Sequence, residues 1–327
     1  MLSNKPRVSI GMPVYNGENF LKPALDSILA QTFEDFELII SDNASTDRTQ
    51  EICQIYAAKD RRIRYYRNDG NLGASKNYNR VFELSLGGYF KWAAHDDVLA
   101  PEYLERCVEV LDQDPSIVLA DSSTGKIDEN GVLVGSYDYE MRVDSPKPHE
   151  RLHDLICVPH FCTSAFALMR TSGLKTTPLV ASYVSSDRNM LVALSLIGRF
   201  YIVPQQLFFR RDHAQTSIRS YGLQDRLGWF DPKKAGRLNL PTWRAGIEYF
   251  KSITRAPLNW SDRLLCYAQL GLWLKQKWIG LLKEIAIATQ RFLVESKLGR
   301  KVLTGVKPIL LKSRIGSQLV TSLHQHW

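Results

Sequence analysis

At 327 residues the chain has room for one large α/β domain with appendages or for two domains, since domains usually run about 100–200 residues. Its 44% hydrophobic and 23% charged residues exclude a disordered chain and one built of membrane spans. The net charge of +8 is uneven: from Lys251 onward thirteen Lys or Arg face only Asp262, Glu284 and Glu295, a net of +10, which leaves −2 for the first 250 residues.

Arg7 to Val14 is a short apolar run that reads as a buried parallel strand, and Phe36 to Ser41 is a second one. Between them Phe20, Leu21, Ala24, Leu25, Ile28 and Leu29 recur at helical spacing, so the unit is strand, helix, strand. Thr46 or Asp47 starts the next helix, through Ile52, Ile55 and Tyr56. A third strand over Ile63 to Tyr66, a helix over Asn77 to Ser85 and a fourth strand over Gly88 to Ala93 follow. The alternation predicts a doubly wound sheet with ligands at the strand C-termini. A helix from Pro101 to Asp112 then leads into a strand over Ile117 to Ala120. From Gly125 to Pro148 the pattern weakens, with Asn130-Gly131 as a hairpin-type turn in a charged loop. Phe161 to Met169 reads as a strand, Asp187 to Leu196 as a helix, and Phe200 to Phe209 as a final strand pair. After Pro241 three helical segments are expected: Trp243 to Ile253, Ser261 to Gln276 and Ile279 to Ser296.

The five cysteines (Cys53, Cys107, Cys157, Cys162, Cys266) form no CxxC pair or zinc pattern and read as reduced thiols. A strand follows Met1-Leu2-Ser3-Asn4-Lys5-Pro6 directly, leaving no room for a secretory leader, so the expected place is the cytoplasm.

Three groups of residues carry chemistry. Pro13-Val14-Tyr15-Asn16 and Asp42 end neighbouring strands and would form a nucleoside pocket, Tyr15 stacking on a base and Asp42 accepting from a pyrimidine N3–H. The segment from Asn71 through Gly73 to Lys76 precedes a helix, where backbone N–H groups and Lys76 can face a phosphate or ribose. Asp96-Asp97 leaves the fourth strand as two adjacent carboxylates, hard oxygen ligands suited to Mg²⁺ or Mn²⁺ bridging a pyrophosphate.

Taken together, "VSIGMPVYNGENFLKPALDSILAQTFEDFELIISDNASTDRT", "NLGASKNYNR" and "HDDVLAPEYLE" closely resemble family-2 glycosyltransferases of the GT-A fold, over about Pro6 to Ser217. The resemblance implies a mixed, mainly parallel, doubly wound α/β sheet flanked by helices, a catalytic domain over 1–217 and a helical, basic region over 218–327. It also implies an inverting, metal-dependent transfer from a nucleotide diphosphate sugar of UDP or dTDP type to a carbohydrate or lipid-linked acceptor. Tyr15 and Asp42 inherit uracil-type contacts. The common family form D-x-D-D has Ala94 here in place of the first acid, so the resemblance leaves metal and ribose contacts shared between Asp96 and Asp97. In "SSDRNMLVAL" Asp187 matches the catalytic base, with Ser186 in place of the usual Glu. "FFRRDHAQTS" matches a segment in which His213 would touch metal or diphosphate and Arg210 or Arg211 would offset phosphate charge.

A nucleotidyltransferase shares this architecture but is expected to open with a Gly-rich phosphate loop after the first strand, which Pro13-Val14-Tyr15-Asn16 is not. The basic end could instead bind nucleic acid. Its Leu, Ile and Trp at amphipathic spacing, interrupted by Lys275, Lys277, Lys283, Arg291, Lys297, Arg300 and Lys301, fit an anionic membrane surface better, and no nucleic-acid partner is expected.

Overall fold

The computed structural model describes residues 5–137, 139–216 and 226–295, with side chains through 292. Its organising element is β1 (Val8–Val14), buried along its whole length. β1 pairs in parallel with β2 (Phe36–Asp42) on one side and β4 (Tyr89–Trp92) on the other, and β3 (Ile63–Arg67) extends the parallel set beyond β2. The crossovers are α1 (Leu21–Leu29), α2 (Thr49–Lys59) and α3 (Ala74–Glu83).

Beyond β4 the pairing turns mixed. β8 (Leu168–Arg170) runs antiparallel to β4 and to β6 (Ile117–Ile127), β6 runs parallel to β9 (Arg199–Arg211), and β9 holds the short β5 (Val98–Leu99) antiparallel at the edge. The order is β3-β2-β1-β4-β8-β6-β9-β5, with β7 (Leu133–Ser136) hairpinned onto β6. This is the expected doubly wound, mainly parallel sheet.

Side chains alternate between faces along each strand, so the sheet builds two cores. Ile10, Met12, Leu38 and Ile40 enter one, with α1, α2 and α4 (Tyr103–Gln113) over them. Ile39, Phe90, Trp92 and Met169 enter the other, covered by α3, α5 (Pro148–Cys157) and α7 (Ser186–Ser195). A four-residue helix, α6 (Thr171–Leu174), follows β8.

Four expectations change in the structure. The segment over Phe161 to Met169 is a 3-10 turn (Thr163–Phe166) followed by β8, because Ala165 and Ala167 N–H close tight turns on Cys162 and Ser164 carbonyls. The final strand pair is a single strand, β9, whose register on β6 slips past Pro204, a residue with no N–H to give the ladder. The strand begun at Ile117 runs on to Ile127. The last two helical segments are one helix, Trp260–Glu295, since no proline interrupts them. Ser296 and the bases Lys297, Arg300 and Lys301 lie outside the described residues.

By contacts the chain divides into Met1–Lys275 and Gln276–Trp327. The first unit takes in α8 (Arg226–Phe230) and α9 (Pro241–Arg255), and buries Tyr249 edge-on against Trp273 at 5.2 Å. The described part of the second unit, from Gln276, is helical. The boundary expected at 217/218 falls outside the described residues.

Gly11 sets how closely α3 approaches β1. A Cβ there would lie 2.6 Å from Val81 Cγ2 and 2.7 Å from Phe90 Cζ, so only hydrogen fits. Gly11→Ala should therefore overpack this layer and destabilise the fold by about 1–3 kcal/mol. Thermal unfolding checks this, and an unchanged Tm would mean that α3 can yield.

Candidate active site

The ends of β1 and β2 are stitched together by short polar side chains. Asn16, at φ 52°, donates its N–H to Ser45 Oγ (2.9 Å) and accepts Thr46 N–H on Oδ1 (2.8 Å). Gly17 N–H meets Thr49 Oγ1 at 2.8 Å, and Asp47 accepts Glu18 and Thr49 N–H groups. With these anchors in place, Tyr15 projects from the strand end with 43% of its surface exposed. Pro13 and Val14 are buried and serve to place it, Val14 O accepting Asn43 N–H at 2.8 Å.

Asp42 has no exposed surface. Its Oδ1 accepts Ser45 N–H at 2.8 Å, while Oδ2 accepts Tyr65 Oη–H at 2.9 Å and pairs with Arg67 at 2.5 Å. Arg67, on β3, was not singled out from sequence, although an arginine ending a parallel strand beside Asp42 is a usable signal.

The Asn71 segment is held from below by Asn43. Its Oδ1 accepts Leu72 N–H (2.9 Å) and Asn68 Nδ2 (3.0 Å), and its Nδ2 donates to Asn71 Oδ1 (2.9 Å). Gly73, at φ 83°, packs so tightly under a later segment that a Cβ would lie 2.6 Å from Phe230 O and 2.7 Å from Pro232 Cδ. Asn71 and Lys76 remain exposed.

Asp96 and Asp97 leave β4 into a turn closed by β9. Gln215 N–H points at His213 Nδ1 (3.3 Å), which makes that nitrogen an acceptor and assigns the ring proton to Nε2, 2.9 Å from Asp96 Oδ2. His213 is thereby spent on orienting Asp96, and its ring packs 4.4 Å from Phe20. Asp97 Oδ1 accepts Arg211 N–H at 2.9 Å. Burial pushes both carboxyls up. For Asp96 the charge of His95 and the His213 hydrogen bond outweigh it and hold the group below its ordinary value. For Asp97 the adjacent Asp96 adds to burial and drives it well above. Two carboxylates that cannot comfortably both ionise are a donor set suited to a hard cation. Among the described residues no group of three acidic, His or Cys side chains forms a metal cage. Mg²⁺ and Mn²⁺ in general bind through one or two carboxylates and take phosphate oxygens and water for the rest.

The two adjacent arginines diverge, as neighbours on a strand must. Arg211 is buried, its Nε donating to Asp96 O (2.8 Å) and its Nη1 to Asp128 O (3.0 Å) and Glu129 O (3.1 Å). Arg210 is half-buried and lies 5.4 Å from the ring centroids of both Tyr137 and Phe161. Asp187 sits in the first turn of α7, with Oδ1 accepting Arg188 N–H at 2.8 Å and Oδ2 accepting no hydrogen bond from a described residue. Burial raises its pKa, against the nearby Arg188 and Arg210 charges.

The glycosyl transferase family 2 model matches residues 9–177, just over half of the chain. The chain belongs to this family. It is 37% identical over 108 residues to an uncharacterized glycosyltransferase of Rickettsia typhi, a stretch covering 33% of each protein. It is 30% identical over 225 residues to chondroitin synthase of Escherichia coli, covering 68% of this chain and 32% of that one. The match thus spans about a third of the length of these relatives. In fold it is similar to S. aureus TarS 1-349 in complex with UDP-GlcNAc (TM-score 0.60, 17% identity, 93% of this chain and 80% of that one). It is also similar to the mannosyltransferase PcManGT of Pyrobaculum calidifontis, in complex with GDP-Man and Mn²⁺ (TM-score 0.52, 15% identity, 98% and 84%).

The arginine pair gives a test that separates scaffold from chemistry. Arg211→Met strands the Asp96 and Glu129 carbonyls, while Asp128 O keeps Gly131 N–H, and should cost on the order of 3 kcal/mol of stability. Arg210→Met, at a half-exposed position, should stay within about 1 kcal/mol of the parent. Urea unfolding measures both, and equal losses would contradict this division of labour.

Proposed function

We propose that the chain transfers a sugar, with inversion, from a UDP- or dTDP-type donor to a hydroxyl of a carbohydrate or lipid-linked acceptor, in cell-surface polysaccharide or glycolipid synthesis. The observation that carries this reading is Asp187, a half-buried carboxylate in the first turn of α7 whose pKa burial raises and whose Oδ1 accepts Arg188 N–H. Tyr15 stacks on the base, while Arg67, held in place by the fully buried Asp42, reads its edge. Asn71, the Gly73 backbone and Lys76 face the ribose and phosphates. Asp96 and Asp97 would hold Mg²⁺ or Mn²⁺, which supplies compensation for charge developing on the leaving diphosphate. His213 keeps Asp96 in place, and Arg210 adds positive charge beside the phosphates.

Asp187 takes the proton as the acceptor oxygen attacks the anomeric carbon opposite the diphosphate, so a single displacement inverts configuration. Burial keeps this carboxylate more basic than usual. The base works only when ionised, so transfer falls as pH drops through its raised pKa, and the acid limb lies above the ordinary carboxylate range. Asp187→Asn should lose about 10²-fold or more in transfer while binding UDP with Mn²⁺ as the parent does. The parent itself should stop in EDTA. Near-normal turnover by the Asn variant, or a product of retained configuration by NMR, would place the base elsewhere.

A surface reading accompanies this one. In the basic segment from Lys251 onward, Trp260, Trp278 and Leu282 are exposed, Trp260 by 79%, whereas Trp273 and Leu281 are buried. That combination suits peripheral attachment to an anionic bilayer presenting a lipid-linked acceptor. No helix among the described residues is long and apolar enough to cross a membrane. Vesicles of phosphatidylglycerol should carry the protein on flotation at low salt and release it at high salt. A protein that stays behind at low salt is not surface-bound.

A further inference from the structure

An aromatic cluster lies across β4 in strand order from the strands that carry Tyr15, Asp42 and Arg67. Tyr15, Asp42 and Arg67 belong to β1, β2 and β3, whereas Arg210 belongs to β9 and Tyr137 follows β7, across the acid pair in strand order. The loop after α5 is tied to the start of α7: Arg188, next to Asp187, donates Nη1 to Leu155 O (2.7 Å) and Nη2 to His160 O (2.9 Å). The helix start that presents Asp187 therefore also fixes Phe161. This ring is 49% exposed, and its backbone N–H is held by Tyr139 Oη at 3.1 Å. Tyr137 meets it edge-to-face at 5.5 Å, and Tyr139 meets His160 in the same manner at 5.9 Å. Arg210 lies over both Tyr137 and Phe161, with Nη1 3.4 Å from Tyr137 Oη. The aromatic cluster is thus joined to the helix start that carries Asp187 through Arg188, and to the end of β9 through Arg210.

We infer that Phe161, Tyr137 and Arg210 form the acceptor subsite, and that the acceptor is a saccharide whose pyranose face lies on Phe161. The inference rests on the glycosyltransfer reading and deepens it. A pyranose has an apolar C–H face and a polar edge, which suits one rigid exposed ring rimmed by a hydroxyl and a guanidinium. An acyl chain would need a continuous apolar groove, and this patch is small and charged at its border. Arg210 offers paired N–H donors to adjacent ring hydroxyls, and its stacking on two rings fixes their direction. Asp187 then stands beside the hydroxyl that attacks.

Saturation-transfer NMR tests this on the full chain with UDP and Mn²⁺ present. The probes are methyl β-glycosides of glucose, galactose, N-acetylglucosamine, N-acetylgalactosamine and glucuronic acid. At least one should receive saturation at its ring C–H protons. Phe161→Ala should weaken that glycoside about fivefold, and Phe161→Tyr, which keeps the stacking face, should retain it. Calorimetry should give the same UDP affinity in parent and Phe161→Ala. No signal from any glycoside, or one indifferent to Phe161→Ala, overturns the subsite. UDP binding without glycoside binding sinks the subsite alone. Glycoside binding through Phe161 in a protein that ignores UDP sinks the donor reading instead.

Discussion

Arg211 has a buried guanidinium that pairs with no carboxylate among the described residues. Its Nε and Nη1 are spent on the main-chain carbonyls of Asp96, Asp128 and Glu129, the Phe20 ring lies 5.0 Å from its centre, and its own backbone N–H holds Asp97. One residue thereby ties the end of β9 to the acid turn and to the β6–β7 turn. A buried cation is costly unless its donors are satisfied, so the three segments must meet at one point for any of them to be stable there. The same demand concentrates positive charge beneath two adjacent acids. His213 and Phe20 complete the arrangement by fixing the other side of Asp96.

The donor side is built on a different economy. Asn16, Asn43, Ser45, Asp47 and Thr49 are consumed in hydrogen bonds between strand ends and loops. Backbones at Asn16 and Ala44 take positive φ to make those bonds. Such residues are common at strand ends because their side chains substitute for missing main-chain partners. Here their scaffold role leaves Tyr15 and Lys76 facing outward.

Much of this architecture was readable from residues alone. Strands buried on both faces appear as uninterrupted apolar runs, and helices between them show a 3.6-residue period, so the β1-to-β4 half was legible element by element. The motif residues were expected at strand C-termini, where Tyr15 and Asp42 in fact stand, whereas Asp96 and Asp97 lie in the turn between β4 and β5. Later elements were less legible, because a short apolar run such as 161–169 has no period that separates turn from strand. Which of Arg210 and Arg211 faces inward depends on register, and register here depends on the slip past Pro204. The burial of Asp42 under Arg67 and the convergence of Tyr137 with Phe161 are long-range facts that no local pattern encodes.

The contact of Gly73 with Phe230 and Pro232 has a consequence in time. Four parallel strands are complete by Trp92, but β4 gains its outer neighbour only with Leu168–Arg170, the acid turn waits for Arg211 and His213, and the Gly73 loop waits for Pro232. At the usual pace of synthesis, about 5–20 residues per second, some 7–27 s separate the appearance of Asp97 from that of Pro232. During that interval the nascent chain is a half-sheet with apolar faces and an open β4 edge, the kind of surface that pairs with other chains. The acid turn and the Gly73 loop are therefore completed well after the parallel half of the sheet, and the growing chain carries an open β4 edge before it has any capacity to bind a donor.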